Sequence, residues 1–246
     1  MRPLNKFLDW FHGEKVIVYL CATTPLSVFL GLAAHKIILP FLNTIFLFPV
    51  FLKFVKERER TRNISYMLFW AALMSACVII ATVNFPEAVE EKIINGKAYK
   101  EEMLGWVKTG IGPEGDIRLF LPLHVRHYSL FLICTALSGG FLSLAMGSIL
   151  LNYMNFYVGM LYLRASDHLT VFLFGWPVWA ACRVAGFIIA AVILAEIMGS
   201  RLFNYPLDKK AVGRYLCASL ALILSDVFLK FFFAPYWQKT LNAVMN

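Results

Sequence analysis

Two histidines three residues apart, His124 and His127, follow an acidic pair, Glu114 and Asp116, in the stretch GPEGDIRLFLPLHVRHY (112–128). Residues at i and i+3 share a helix face, so a helix starting after Pro122 aims both imidazoles the same way. A zinc site needs three or four ligands. The histidines supply two, and Glu114 or Asp116 would have to fold back to complete the set. The plainer alternative is a juxtamembrane anchor, with Arg126 and the imidazoles on lipid phosphates and Tyr128 at the interface. Arg183 is the second candidate, deep in the apolar run VWAACRVAGF. A charge at that depth costs about 2.5–3.5 kcal/mol on insertion scales and should face a partner or a cavity. Glu196, Asp226 and the carbonyls of Gly175–Pro177 are the candidate partners. Both a substrate or ion pathway and a buried structural ion pair satisfy that rule.

Other polar residues in apolar runs read more simply. Asp226 and Lys230 stand four apart with the acid first, the favoured order for a local helical ion pair. Asn152 and Asn155 share a face and can bond across helices or line a cavity. Cys134 with Arg183 as oxyanion donor would suit intramembrane transpeptidase-like chemistry, yet no histidine base follows His168. Bis-histidine haem ligation wants histidines at mid-membrane, whereas His12, His35 and His168 fall at segment ends. No Walker motif or GxGxxG is present, and SGG (138–140) lacks a nucleophile-elbow context. Whether a cofactor is bound is left open.

The elements that carry these residues are set by composition. Hydrophobic residues make up 60% of the chain and charged residues 15%, and mean hydropathy is +0.68. A soluble domain has fewer of the first and more of the second. Each helical crossing takes roughly 20 apolar residues, and the unbroken apolar runs are too many for a single anchor. The alternating ten-residue strands of a barrel are missing. The fold class is therefore all-α, a polytopic transmembrane helix bundle. The start, MRPLNKFLDWFHGE, is amphipathic and lacks the apolar core and cleavage site of a signal peptide. Residues 1–15 form that amphipathic segment, and 16–246 a single bundle. The net charge of +8 sits in short loops, so orientation and anionic lipid account for it better than nucleic acid does.

The run 16–54 reads as a hairpin, 16–34 and 37–54, split at AAHK. Residues 64–85 form a third crossing. Residues 86–119 are the long polar stretch, extracytoplasmic, with helical spacing in EAVEEKI and YKEEMLGWV that lets Met103 and Trp106 rest at the lipid interface. Placing the basic loops 53–63 and 200–214 together on the cytoplasmic side requires an even number of crossings between them. The stretch from about Phe120 to 163 then crosses twice, breaking near Gly147-Ser148, which leaves a short or re-entrant helix near 148–163. Crossings at 169–198 and 215–234 complete seven, with six as the alternative. The N-terminus is cytoplasmic and the C-terminus outside, in the inner membrane of a cell.

From Leu121 onward the order of LHVRHYSLFL, SGGFLSLAMGSILLNYMNFYVG, GWPVWAACRVAGFIIAAVIL and GRYLCASLALILSDVFLKFFFAPYW resembles the stage II sporulation protein M-like family of membrane proteins. Trp176 stands before Pro177, and Cys182 and Arg183 near the place where that family favours a glutamate. The resemblance implies a non-enzymatic component supporting envelope assembly, with permease-like ancestry. Together these features lead to a multi-pass inner-membrane subunit or scaffold. It meets the lipid bilayer along its sides and protein partners through loop 86–119, and homo-oligomer formation is left open. The alternatives are a transporter or channel with its polar pathway at Arg183, and an intramembrane enzyme using Cys134 or a His124/His127 metal site.

Overall fold

The computed structural model describes Leu8, residues 11–202 and residues 204–245; most of the amphipathic segment expected at 1–15 lies outside the described residues. Among the described residues ten helices follow in order: α1 (Glu14–Ala34), α2 (Ile38–Lys56), α3 (Arg60–Asn84), α4 (Pro86–Lys92), α5 (Gly96–Thr109), α6 (Ile117–Ser138), α7 (Phe141–Arg164), α8 (His168–Phe174), α9 (Val178–Leu202) and α10 (Lys209–Asn242). No strand occurs among the described residues; Ala165 and Met245 form one isolated bridge. Among the described residues seven spans are long and apolar enough to cross a membrane: α1, α2, α3, α6, α7, α8–α9 together, and α10. The protein is an all-α polytopic bundle.

Backbone satisfaction explains why these segments are helical, since a helix meets its own N–H and C=O groups where water is absent. Side-chain distribution follows the same logic. Large apolar residues such as Leu137, Phe172, Phe228 and Phe231 point outward, a surface suited to hydrocarbon. The interior instead collects small and hydrogen-bonding residues, the usual contacts between membrane helices. Ser219 Oγ donates to the Gly186 carbonyl at 2.7 Å, drawing together α9 and α10, the most extensive helix pair. Asn43 Nδ2 donates to Ser148 Oγ at 3.0 Å and Ser27 Oγ to Asn43 Oδ1 at 2.9 Å, so α1, α2 and α7 share one buried polar knot.

Two boundaries differ from the sequence expectation. The break between the fourth and fifth crossings falls at Gly139-Gly140, not near Gly147-Ser148, so 148–163 is neither short nor re-entrant: it belongs to the 24-residue α7. The reason is conformational. Gly139 (φ 61°) and Gly140 (φ 105°) both take left-handed backbone, which glycine adopts without steric cost, and a Cβ on Gly140 would collide with the Phe51 ring. Gly147 is an ordinary helical residue. The sixth crossing, in turn, is discontinuous. It breaks at residues 175–177, between α8 and α9, where a Cβ on Gly175 would stand 2.6 Å from the Val171 carbonyl oxygen.

The stretch 86–116 does not stand away from the bundle. Asn95 (φ 61°) turns the chain from α4 into α5. The α5 face bearing Met103, Leu104, Trp106 and Val107 is buried in one cluster with Tyr157, Leu161, Trp179 and Leu241. Met103 and Trp106 therefore face the protein's own helices, a correction to their expected place at the lipid interface. Gln238 Nε2 donates to the Val107 carbonyl at 2.5 Å, and Lys100 pairs with Glu90. Asp116 ends the segment as the N-cap of α6, accepting from the Arg118 N–H at 2.8 Å.

Candidate functional site

Under this folded-down segment lies a cavity of about 580 Å³. Helices α6, α7, α9 and α10 wall it, and α5 with the 110–116 turn roofs it. Its polar groups come from all of these elements: Arg126 and His127 from α6, Tyr153 from α7, Arg183 from α9, Lys230 from α10 and Tyr99 from α5.

The charges at its floor are paired across helices. Arg183 grips Asp226 with two parallel bonds, Nε to Oδ2 and Nη2 to Oδ1, both 3.0 Å. Bidentate geometry of this kind is the strong form of the carboxylate–guanidinium contact. His124 Nδ1 lies 2.7 Å from the Phe120 carbonyl oxygen. Its Nε2 stands 3.1 Å from Asp226 Oδ2, off the line of an aligned hydrogen bond. One turn further along α10, Lys230 Nζ donates to Glu114 Oε1 at 2.7 Å and sits 4.5 Å from the centre of the Phe120 ring. Arg183 and Lys230 each have a carboxylate partner, and burial of ion pairs is tolerable only when each charge has its partner.

Outside the membrane-spanning helices, Glu114 and Tyr99 are among the groups that respond to this field. Burial by itself would push the Glu114 carboxyl up. The Lys230 ammonium, joined by Arg183, outweighs that and holds it below the ordinary glutamate range. Burial and the Glu114 charge push the Tyr99 phenol well above its ordinary value, so Tyr99 stays a hydrogen-bond donor.

The sequence candidates divide. Arg183, Asp226, His124, His127 and Glu114 come together. Glu196 does not: it is buried at the opposite end of the bundle, held by Arg60 through Nε–Oε2 and Nη2–Oε1 contacts of 2.6 Å. The local Asp226–Lys230 pair does not form either. Asp226 turns to α9 and Lys230 to the loop, because each finds a better-placed opposite charge on another element. Asn155 Nδ2 donates to Ser75 Oγ of α3 at 3.0 Å, a packing contact as expected. Asn152 is buried beside it with its Oδ1 unpartnered. Asp116 is engaged as a cap, and Glu114 folds back onto Lys230 instead of onto the histidines. Among the described residues no three His, Cys, Asp or Glu side chains converge as metal ligands. Cys134 lies outside the cavity's lining, and its carbonyl accepts the Ser138 hydroxyl at 2.6 Å.

Sequence reasoning missed the two tyrosines and the exchange of partners on α10. The i, i+4, i+7 spacing of Tyr99, Met103 and Trp106 marks a bundle-facing stripe and would have placed Tyr99 on the inside. Comparison with family models, with curated proteins and with solved structures finds no match.

Proposed function

We propose that this multi-pass membrane protein is a transport protein whose ligand occupies the chamber around Arg183. One observation carries the proposal: a roofed cavity of about 580 Å³, lined by titratable groups from five helices and a loop, beside a discontinuous crossing. Discontinuous helices at an intramembrane polar cavity are the usual construction of a transporter's substrate site, and convergent polar groups in a large pocket mark a binding site. Basic residues Lys56, Arg58, Arg62, Lys209 and Lys210 gather at the end opposite the chamber. They support a cytoplasmic N-terminus, an inner-membrane location and a chamber facing outward.

Accessibility tests the proposal. In a chain whose native cysteines are replaced by serine, Tyr153→Cys should react with a membrane-impermeant maleimide from the loop side and, in a fraction of molecules, from the opposite side. Reaction from the loop side alone would leave a static binding site and reject transport. Reaction from neither side would reject the chamber.

A second reading, a subunit or scaffold for envelope assembly, is favoured by the outward faces of α4 and α5. Glu87, Glu91, Lys97, Glu101 and Lys108 are exposed there in a pattern suited to a polar protein partner. Reversing Glu87, Glu91 and Glu101 to lysine would abolish co-purification of such a partner and leave chamber accessibility unchanged.

A further inference from the structure

A second, narrower cavity of about 70 Å³ continues from the chamber into the bundle. The two share His127, Leu150, Tyr153, Met154 and Arg183 in their walls. Beyond Arg183 the recess is walled by Phe131, Phe187 and Ala191 and ends against Phe51, Met67 and Trp70. From Arg183 to Ala191 it follows α9 for about 12 Å at helical rise. Its hydroxyl, on Ser143, is already engaged as a donor to the Gly140 carbonyl at 2.9 Å. The deep recess thus presents hydrocarbon, and an apolar cavity stays dry or holds an apolar guest.

The chamber is the polar counterpart, and the groups in its wall left without a partner are mostly hydrogen-bond donors. Both Asp226 oxygens face Arg183 or His124, and Glu114 faces Lys230. Arg183 uses Nε and Nη2 on Asp226, which leaves Nη1 out of the pair. Among the described residues Arg126 and His127 have no ion-pair or hydrogen-bond partner, and the hydroxyls of Tyr99 and Tyr153 make no hydrogen bond. Glu102, at the exposed rim, is the one further acid in the wall. Leu130, which lines the chamber, is 47% exposed.

Resting on the chamber as a ligand site, we infer that the ligand is an amphiphile with an anionic head group. The head lies among Arg126, His127 and Arg183, and a hydrocarbon tail extends into the recess past Phe131 and Phe187. A lipid head and a free phosphate share the head chemistry, and the recess favours the lipid.

The full chain in phosphatidylcholine nanodiscs, given a phosphatidylglycerol analogue with a photoreactive diazirine at its acyl end, tests this. Adducts are expected on Phe51, Met67 and Phe187, and unlabelled phosphatidylglycerol should compete them away. Arg126→Gln, an exposed position, should lower them several-fold. Gly147→Leu should drive them out of the recess, because a Cβ there meets only Phe131, at 3.9 Å. Adducts confined to outward residues such as Leu137 and Phe172 would overturn the inference, as would equal labelling by a phosphatidylcholine analogue. Competition by inorganic phosphate as strong as by the lipid would overturn it in favour of a free anion. Tyr153→Cys reactivity in the same discs separates the two levels. An open chamber without recess adducts rejects the amphiphile alone, and a closed one rejects the chamber.

Discussion

Asp226 is fully buried and holds its charge through the two bonds from Arg183. Removing the guanidinium strands that carboxylate. Arg183→Leu should therefore cost about 3–5 kcal/mol, the usual penalty for breaking a buried pair. Arg183→Gln combined with Asp226→Asn should recover most of it, because no charge is left unpaired. Thermal unfolding in detergent reads both variants. Glu114 sets a pH dependence. Its carboxyl is held below the ordinary glutamate value while the loop is closed, so closure is favoured above that value and is lost as pH falls below about 4.3. Hydrogen exchange across 110–116 should rise in that window, and Glu114→Gln should show fast exchange at every pH. Residue types were legible at these positions, since an arginine or aspartate in an apolar run demands a partner. The partners were not. Arg183 and Asp226 lie 43 residues apart, and Glu114 and Lys230 lie 116 apart. Pairings at such distances follow from which helices pack together, and local spacing does not carry that information.

At the scale of elements, helix ends were written locally and helix surroundings were not. Asp116, Asp167 and Asp208 each cap the helix that follows by accepting a backbone N–H two or three residues on, the ordinary N-cap device. The sequence reading breaks the run near Gly147-Ser148 because small residues fill that whole stretch, whereas the turn falls at Gly139-Gly140. What separates them is the positive φ at the first pair and its contact with Phe51. Gly140→Ala should cost about 1–3 kcal/mol through left-handed strain and crowding of that ring. Gly147→Ala, helical and roomy, should stabilise by up to about 1 kcal/mol. Melting temperatures of the two variants should move in opposite directions. The amphipathic stripe of α5 was visible in YKEEMLGWV, but a stripe does not say whether lipid or protein meets it. Burial of Trp106 against α7, α9 and α10 turns a segment expected at the interface into the roof of a chamber.

For the molecule as a whole, one crossing for each of the seven apolar spans among the described residues predicts that the two ends of the chain lie on opposite faces. Reporter fusions at residue 1 and residue 246 should report opposite compartments, with the N-terminal one cytoplasmic; the same compartment for both would reject the odd count. The two faces are also built differently. The end with the basic loops is clamped by Arg60 on Glu196, with the Tyr205 hydroxyl donating to the Glu196 carbonyl at 3.0 Å, and the other end carries the roofed chamber. The sequence by itself determined the class and the places where charge enters an apolar run, and it left seven crossings with six as the alternative. Hydropathy and insertion cost act on each segment separately, so a linear reading captures them. Only the tertiary structure decided that Arg183 meets Asp226 and not Glu196, that Lys230 leaves its neighbour for Glu114, and that 86–116 folds down over the result. Those outcomes depend on the rotation and depth of each helix against the others, which interior packing fixes and no single segment encodes.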